Sequence, residues 1–113
     1  MVRIAVVGYG NIGKQAIQAV LAAPDLDLAG VVRRTASEDN RPPELGDIAV
    51  VSEISELKKV DVALLCVPTR AVPALASEMA AAGLNTVDSY DIHGDALVQY
   101  REQLAEQAKK HGT

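Results

Sequence analysis

Three groups of residues in this sequence of 113 have the types and spacing for chemistry. The first is Gly8, Gly10 and Gly13, a G-x-G-x-x-G run that directly follows an apolar stretch and directly opens a helical pattern. In that setting the first glycine makes a tight turn, the second lets the backbone approach a pyrophosphate, and the third brings the helix against the strand. The N–H groups of the helix start, with the positive end of its dipole, then form an anion site. The second group is Arg33-Arg34-Thr35, about 20 residues past the last glycine, where a site specific for NAD(H) carries an acid for the ribose 2′-hydroxyl. Two guanidiniums with a hydroxyl suit a 2′-phosphate instead, because arginine grips phosphate through a bidentate, charge-assisted fork. Together these residues predict a dinucleotide site that prefers NADP(H). The third group is Asp88-Ser89-Tyr90-Asp91-Ile92-His93. Here two readings stand side by side. Either Asp88 or Asp91 caps the following helix, or a carboxylate lies near the nicotinamide and holds a cationic amine. Cys66 reads as a small buried hydrophobe, since the sequence places no basic group to activate it.

These residues need elements to position them. Ile4 to Val7, with Val2 just before, is an apolar run that reads as a strand buried on both faces, as in a parallel sheet. Ile12, Ala16, Ile17, Val20 and Leu21 recur at helical spacing, and Pro24 predicts that the helix stops near Ala23. Leu26 to Val32 reads as a second strand, completing a βαβ unit with a right-handed crossover. Residues 36–46, ASEDNRPPELG, read as loop. Ile48 to Val51 predicts a third strand, and Ser52 to Leu57 a turn of helix capped by Ser52. Val60 to Val67 predicts a fourth strand, ending at Pro68. The segment Cys66-Val67-Pro68-Thr69-Arg70 then lies beside the first strand at the switch point where strand order reverses, and ligands bind in that crevice. Thr69 is the expected cap of a helix with Val72, Leu75, Met79 and Ala82 on its apolar face. Gly83 ends that helix, and Leu84 to Val87 reads as a fifth strand. The last helix, Asp95 to about Lys110, carries Leu97, Tyr100, Leu104 and Ala108 on one face. Lys109, Lys110 and His111 suit its C-terminal dipole, and Gly112 is a stop.

The bulk properties narrow the class. The length suits one domain with one core, and 49% apolar residues are spread too evenly for disorder. A net charge of −4 argues against a nucleic-acid surface or a polybasic membrane anchor. The single cysteine allows no internal disulfide and fits a reducing cytoplasm. The first residues show no leader pattern, no apolar run approaches membrane-spanning length, and the two histidines, His93 and His111, show no metal-ligand spacing.

The sequence resembles the N-terminal part of meso-diaminopimelate D-dehydrogenases over essentially its whole length. The resemblance rests on VVGYGNIG at 6–13, GVVRR at 30–34, VDVALLC ending at Cys66 and TVDSYDIH at 86–93. It implies NADP-dependent oxidative deamination at the D-centre of meso-2,6-diaminopimelate, giving L-2-amino-6-oxopimelate and ammonia, in lysine biosynthesis. It implies that Tyr9, Gly10, Asn11 and Ile12 line the pyrophosphate, with Arg33, Arg34 and Thr35 at the 2′-phosphate. Cys66, Val67, Pro68 and Thr69 would pass under the adenosine side, while Ser89, Tyr90 and Asp91 reach the nicotinamide end. Asp91 would also touch the amine at the reacting carbon. The expected fold is a three-layer α/β Rossmann domain over residues 1–113, with about five parallel strands in the order 3-2-1-4-5. The resemblance further implies a substrate and dimerisation domain beyond this segment, so the sequence reads as a fragment that binds cofactor, is inactive alone, and self-associates through its open fifth strand. Two other readings are a non-catalytic NAD(P)-sensing module and the N-terminal domain of another amino-acid-pathway dehydrogenase. The run at 88–93 speaks against both.

Overall fold

The computed structural model describes residues 1–33, 42–88 and 94–113. Its elements are β1 (Val2–Val7), α1 (Asn11–Ala22), β2 (Leu26–Val32), β3 (Val50–Val51), β4 (Val62–Leu65), α2 (Val72–Ala81), β5 (Asn85–Asp88) and α3 (Asp95–His111). The five strands are parallel and form one sheet in the order β3-β2-β1-β4-β5. Strand order reverses between β1 and β4, as the doubly wound pattern requires.

Side-chain alternation along the strands divides the core into two layers. Ile4 and Val6 of β1, with Val31 of β2, pack against Ile17 and Val20 of α1. Val7, Val32, Ala63 and Leu65 point the other way, onto Val72, Ala76 and Met79 of α2, with Tyr100 and Leu104 of α3 closing that side. A period of two thus feeds two different helical layers, which is why β1 must be apolar at every position from Ile4 onward. The β1–β2 ladder shifts register between Ile4 and Ala5, so that Ile4 faces Leu28 while Ala5 faces Gly30. At Gly30 a Cβ would stand 2.6 Å from the Leu57 side chain and 2.9 Å from the Ala49 carbonyl, so the strand can lie this close to its neighbours only without a side chain there.

Several expected boundaries move. β3 is only Val50–Val51 and β4 only Val62–Leu65, each shorter than its apolar run. The ends of those runs are occupied by connections that still pack apolar side chains inward. β5 begins one residue late, at Asn85, because Leu84 completes the end of α2. Its N–H donates to the Met79 carbonyl while Gly83, in the left-handed region, donates to Ala80. The α1 stripe is narrower than its composition suggests: Gly13, Ile17 and Val20 are buried, whereas Ile12 and Leu21 are 65% and 58% exposed. A spacing of four then three residues selects a single line along the helix, and Ile12 and Leu21 fall off it.

Caps differ too. Ser52 does not cap the short 3-10 turn Ile54–Glu56; Glu53 holds that place, its N–H donating to the Glu56 carboxylate at 3.0 Å. Thr69 does not cap α2, because it starts a 3-10 turn, Thr69–Ala71, that runs directly into the helix. Asp88 does not cap α3 either. It accepts a hydrogen bond from the Tyr100 hydroxyl at 3.2 Å, and the N-cap is Gly94. The stretch read as loop contains an ordered anchor: Pro43–Leu45 is a 3-10 turn, and Pro42 and Leu45 are buried.

Candidate nucleotide-binding site

The turn from β1 into α1 is built from close backbone approaches. Gly8 has φ +109°, and a Cβ on it would lie 2.2 Å from the Cys66 carbonyl oxygen. No L side chain fits there, in conformation or in space. Its N–H donates to the Val32 carbonyl at 2.9 Å, tying the turn to the end of β2. Gly13, one turn into α1, would place a Cβ 2.3 Å from the Gly8 carbonyl, so the helix can sit against the turn only without a side chain. Gly10 differs from both. It is exposed, and a Cβ there would meet nothing within 4 Å. Its freedom from packing leaves a bare backbone at the helix start, and it is the N-cap of α1. No side chain caps that end, and the first turn holds no acid. The first N–H groups of α1 are therefore offered to an incoming anion.

Around this turn opens a crevice of about 900 Å³ at the carboxyl ends of β1, β2, β3 and β4. Among the expected site residues, Gly8, Tyr9, Arg33, Val67 and Pro68 line it. Gly10, Asn11 and Ile12 form the exposed start of α1 beyond Tyr9. Gly13 is buried under the turn. Thr69 is exposed outside the lining, and Cys66 packs into the layer beneath α1. Burial pushes the Cys66 thiol upward from its ordinary pKa, consistent with a packed residue and not a nucleophile. Arg34, Thr35, Ser89, Tyr90, Asp91 and His93 lie outside the described residues.

The far wall was not legible from motif spacing. It includes Ser52, Glu53 and Ile54 after β3, Arg70 and Ala71 of the turn before α2, and Ala74, Leu75, Glu78 and Met79 along α2. Polar atoms at one side and aliphatic surface at the other suit a flat heteroaromatic ring, held between the ends of β2 and β4. The signal for this wall lay in topology: in the order 3-2-1-4-5 the β3 and β4 connections must converge on the same end of the sheet.

Tyr9 stands at the mouth of the crevice in a charged cluster. Arg33 Cζ lies 5.2 Å and Lys14 Nζ 5.1 Å from its ring centre, both within cation–π range. Its hydroxyl donates to Glu44 at 2.5 Å. Partial burial and the neighbouring carboxylate push the Tyr9 phenol up to about 12, against the opposing pull of Arg33. The same hydrogen bond holds the Glu44 carboxyl below its ordinary range, so the pair is a neutral phenol and an ionised carboxylate. Glu44 escaped motif reading because it comes from a polar stretch 35 residues away. The one available clue was Leu45, a lone large aliphatic residue in ASEDNRPPELG.

A glycine turn, an uncapped helix start and a crevice at the strand-order reversal form the geometry of an NAD(P)-binding Rossmann domain. Residues 2–88 match the model of the GFO_IDH_MocA oxidoreductase family with an NAD-binding Rossmann fold. The chain belongs to this family. It is 56% identical over 111 residues to a meso-diaminopimelate D-dehydrogenase of Bacteroides fragilis, covering 98% of this chain and 36% of that protein. Its fold is similar to that of the Corynebacterium glutamicum diaminopimelate dehydrogenase in complex with diaminopimelate, with TM-score 0.79 and 31% identity over 99% of this chain and 34% of that one. It is also similar to an engineered D-amino acid dehydrogenase bound to NADP+, with TM-score 0.77 and 31% identity over 98% of this chain and 34% of that one. The chain thus spans about a third of the length of these relatives. Among the described residues, no helix is long and apolar enough to cross a membrane, and no cluster of His, Cys, Asp or Glu could hold a metal ion.

Proposed function

We propose that this chain is the cofactor-binding part of a cytoplasmic NADP-dependent dehydrogenase acting on the CH–NH2 group of meso-2,6-diaminopimelate. The observation that carries the reading is the 56% identity to a meso-diaminopimelate D-dehydrogenase over nearly the whole chain. The crevice supports it physically, with Arg33 at the end of β2 where the 2′-position of an adenosine ribose falls.

In this reading the first N–H groups of α1, from Asn11 to Gly13, hold the pyrophosphate, and the bare Gly10 backbone lets it approach. Arg33, with Arg34 and Thr35, takes the 2′-phosphate. Ser52, Ile54, Val67, Pro68 and Leu75 enclose the adenine and its ribose. Ser89, Tyr90 and Asp91, at the carboxyl end of β5, serve the nicotinamide side, where Asp91 holds the substrate ammonium. The bound nicotinamide supplies the hydride acceptor. The chain's own contribution is to fix the two partners in reacting geometry. An oligomer is proposed for the assembled enzyme, and the 113-residue chain alone should bind cofactor without measurable turnover of diaminopimelate.

Calorimetric titration with NADP+ and NAD+ tests the reading. Arg33→Ala/Arg34→Ala should weaken NADP+ by about tenfold or more while sparing NAD+, because the lost contacts are charge-assisted bonds to the phosphate that NAD+ lacks. Equal losses for both, or no binding by the wild-type chain, would overturn it.

A further inference from the structure

No acid stands at the end of β2 in sequence, but one stands at the crevice mouth in space. Glu44 does not line the crevice wall as Glu53 does; it accepts a hydrogen bond from the hydroxyl of Tyr9, which does line it. Tyr9 and Arg33 both line the crevice, and Arg33 and Lys14 both stack on the Tyr9 ring. This chain of contacts keeps the Glu44 carboxylate within about 10 Å of both cations, one screening length at ordinary salt.

The carboxylate is also held in place. Leu45, the next residue, is 5% exposed and inserted into the layer with Ile4, Val6, Ile17, Val20 and Val31. Around it, the Leu45 N–H donates to the Pro42 carbonyl at 3.1 Å and the Ile48 N–H to the Leu45 carbonyl at 2.9 Å. Glu44 is itself exposed to solvent, but it sits on an anchored turn and its tip accepts from the Tyr9 hydroxyl, so its charge is held at the crevice mouth.

We propose that Glu44 is a specificity-determining residue of the dinucleotide site: its carboxylate, fixed on Tyr9 beside Arg33 and Lys14, opposes a ribose 2′-phosphate and narrows the preference for NADP(H) over NAD(H). The proposal rests on the reading of Arg33 as the 2′-phosphate side of the crevice. A fixed negative charge near the cations lowers the potential that a 2′-phosphate sees, while a ribose 2′-hydroxyl carries no charge to be repelled. Arg70, Glu53 and Glu78 also line the crevice, so Glu44 is one contribution to its field, and preference in this chain is then not a property of Arg33 and Arg34 alone.

NADPH and NADH are titrated separately into the 113-residue chain and into Glu44→Gln, Glu44→Ala, Arg33→Ala and Glu102→Gln. Glu102 is an exposed acid on α3, so its change removes the same net charge away from the crevice. Glu44→Gln and Glu44→Ala should each tighten NADPH about twofold to fourfold and leave NADH within about 1.5-fold, as expected for one exposed and partly screened charge. The gain should shrink in high salt, and Glu102→Gln should show none. An unchanged or lowered NADPH:NADH ratio in both Glu44 variants, or an equal gain in Glu102→Gln, overturns the proposal. If Arg33→Ala weakens NADPH but the Glu44 variants do not strengthen it, only the role of Glu44 is lost. If Arg33→Ala leaves NADPH binding untouched, the 2′-phosphate reading falls and takes this proposal with it.

Discussion

The two ends of the sheet are covered very differently. On the β2–β1 side, α1 buries Gly13, Ile17 and Val20, and the Leu45 turn inserts from outside to complete the layer. On the β4–β5 side, α3 is the longest helix among the described residues, yet none of its residues with a described side chain is fully buried. Leu97, Tyr100, Leu104 and Ala108 form the predicted face but are only half covered, and Val87 and Val98 are 55% and 53% exposed. The difference separates two tasks. Phosphate recognition uses backbone atoms whose positions cannot be adjusted by a rotamer, so the strands that carry the turn are packed on both faces: Ile4, Val6 and Val31 under α1 and the Leu45 turn, and Val7 and Val32 under α2. At the β5 edge, Val87 remains exposed.

The strongest test of that bracing is the turn itself. Gly8→Ala would force a Cβ into the Cys66 carbonyl and require a φ that alanine avoids. Backbone cannot move aside as a flexible side chain can. The expected loss is about 3 kcal/mol or more, with dinucleotide binding abolished. Chemical denaturation and calorimetry measure the two. A stable Gly8→Ala chain that still binds NADP+ would mean the turn is not the rigid feature that distinguishes this end.

Next in size is a paired truncation across the two ends. Ile17→Ala in α1 removes a side chain that is 3% exposed, at a cost of about 2–4 kcal/mol. Leu104→Ala in α3 removes a half-covered one, and about 1 kcal/mol is expected. Amide hydrogen exchange should rank the helices in the same order, with α3 opening more readily than α1. Equal costs and equal protection would erase the comparison.

Much of this contrast could be read before the structure, and the parts that could not share a cause. The strand β2, the glycine turn and the apolar face of α3 follow from local periodicity and motif spacing, because each depends on neighbours within a few residues, and the sheet order follows from the doubly wound pattern that the glycine turn signals. Ile4–Val7 needs only its own run of apolar residues to declare a strand buried on both sides. Glu44 and Ser52–Ile54 depend on connections that meet in space, and no pattern within ASEDNRPPELG specifies that its glutamate meets Tyr9. The caps failed for a related reason. Ser52 and Thr69 have good capping side chains, but Ser52 lies one residue before the N-cap Glu53, and Thr69 lies inside a 3-10 turn that runs into α2.

The smallest expected effect concerns the Tyr9–Glu44 pair, and its pH dependence has two opposite limbs. The folded state raises the Tyr9 phenol from 10.0 to about 12, so it favours the neutral form. That contribution is fully present below pH 10.0 and is lost as the pH climbs through about 12. The folded state lowers Glu44 from 4.5, so its contribution is present above pH 4.5 and is lost as the pH falls through the depressed value. Between these limits the latch is intact, and the turn carrying Glu44 is held against α1. Absorbance titration of the three tyrosines should therefore show one late-ionising phenol that disappears in Tyr9→Phe. Glu44→Gln should bring that phenol back toward its ordinary value, since the carboxylate accounts for part of the rise, while partial burial keeps it from returning fully. A late phase that survives Tyr9→Phe would assign the raised phenol to another tyrosine and remove the latch from the braced end of the sheet.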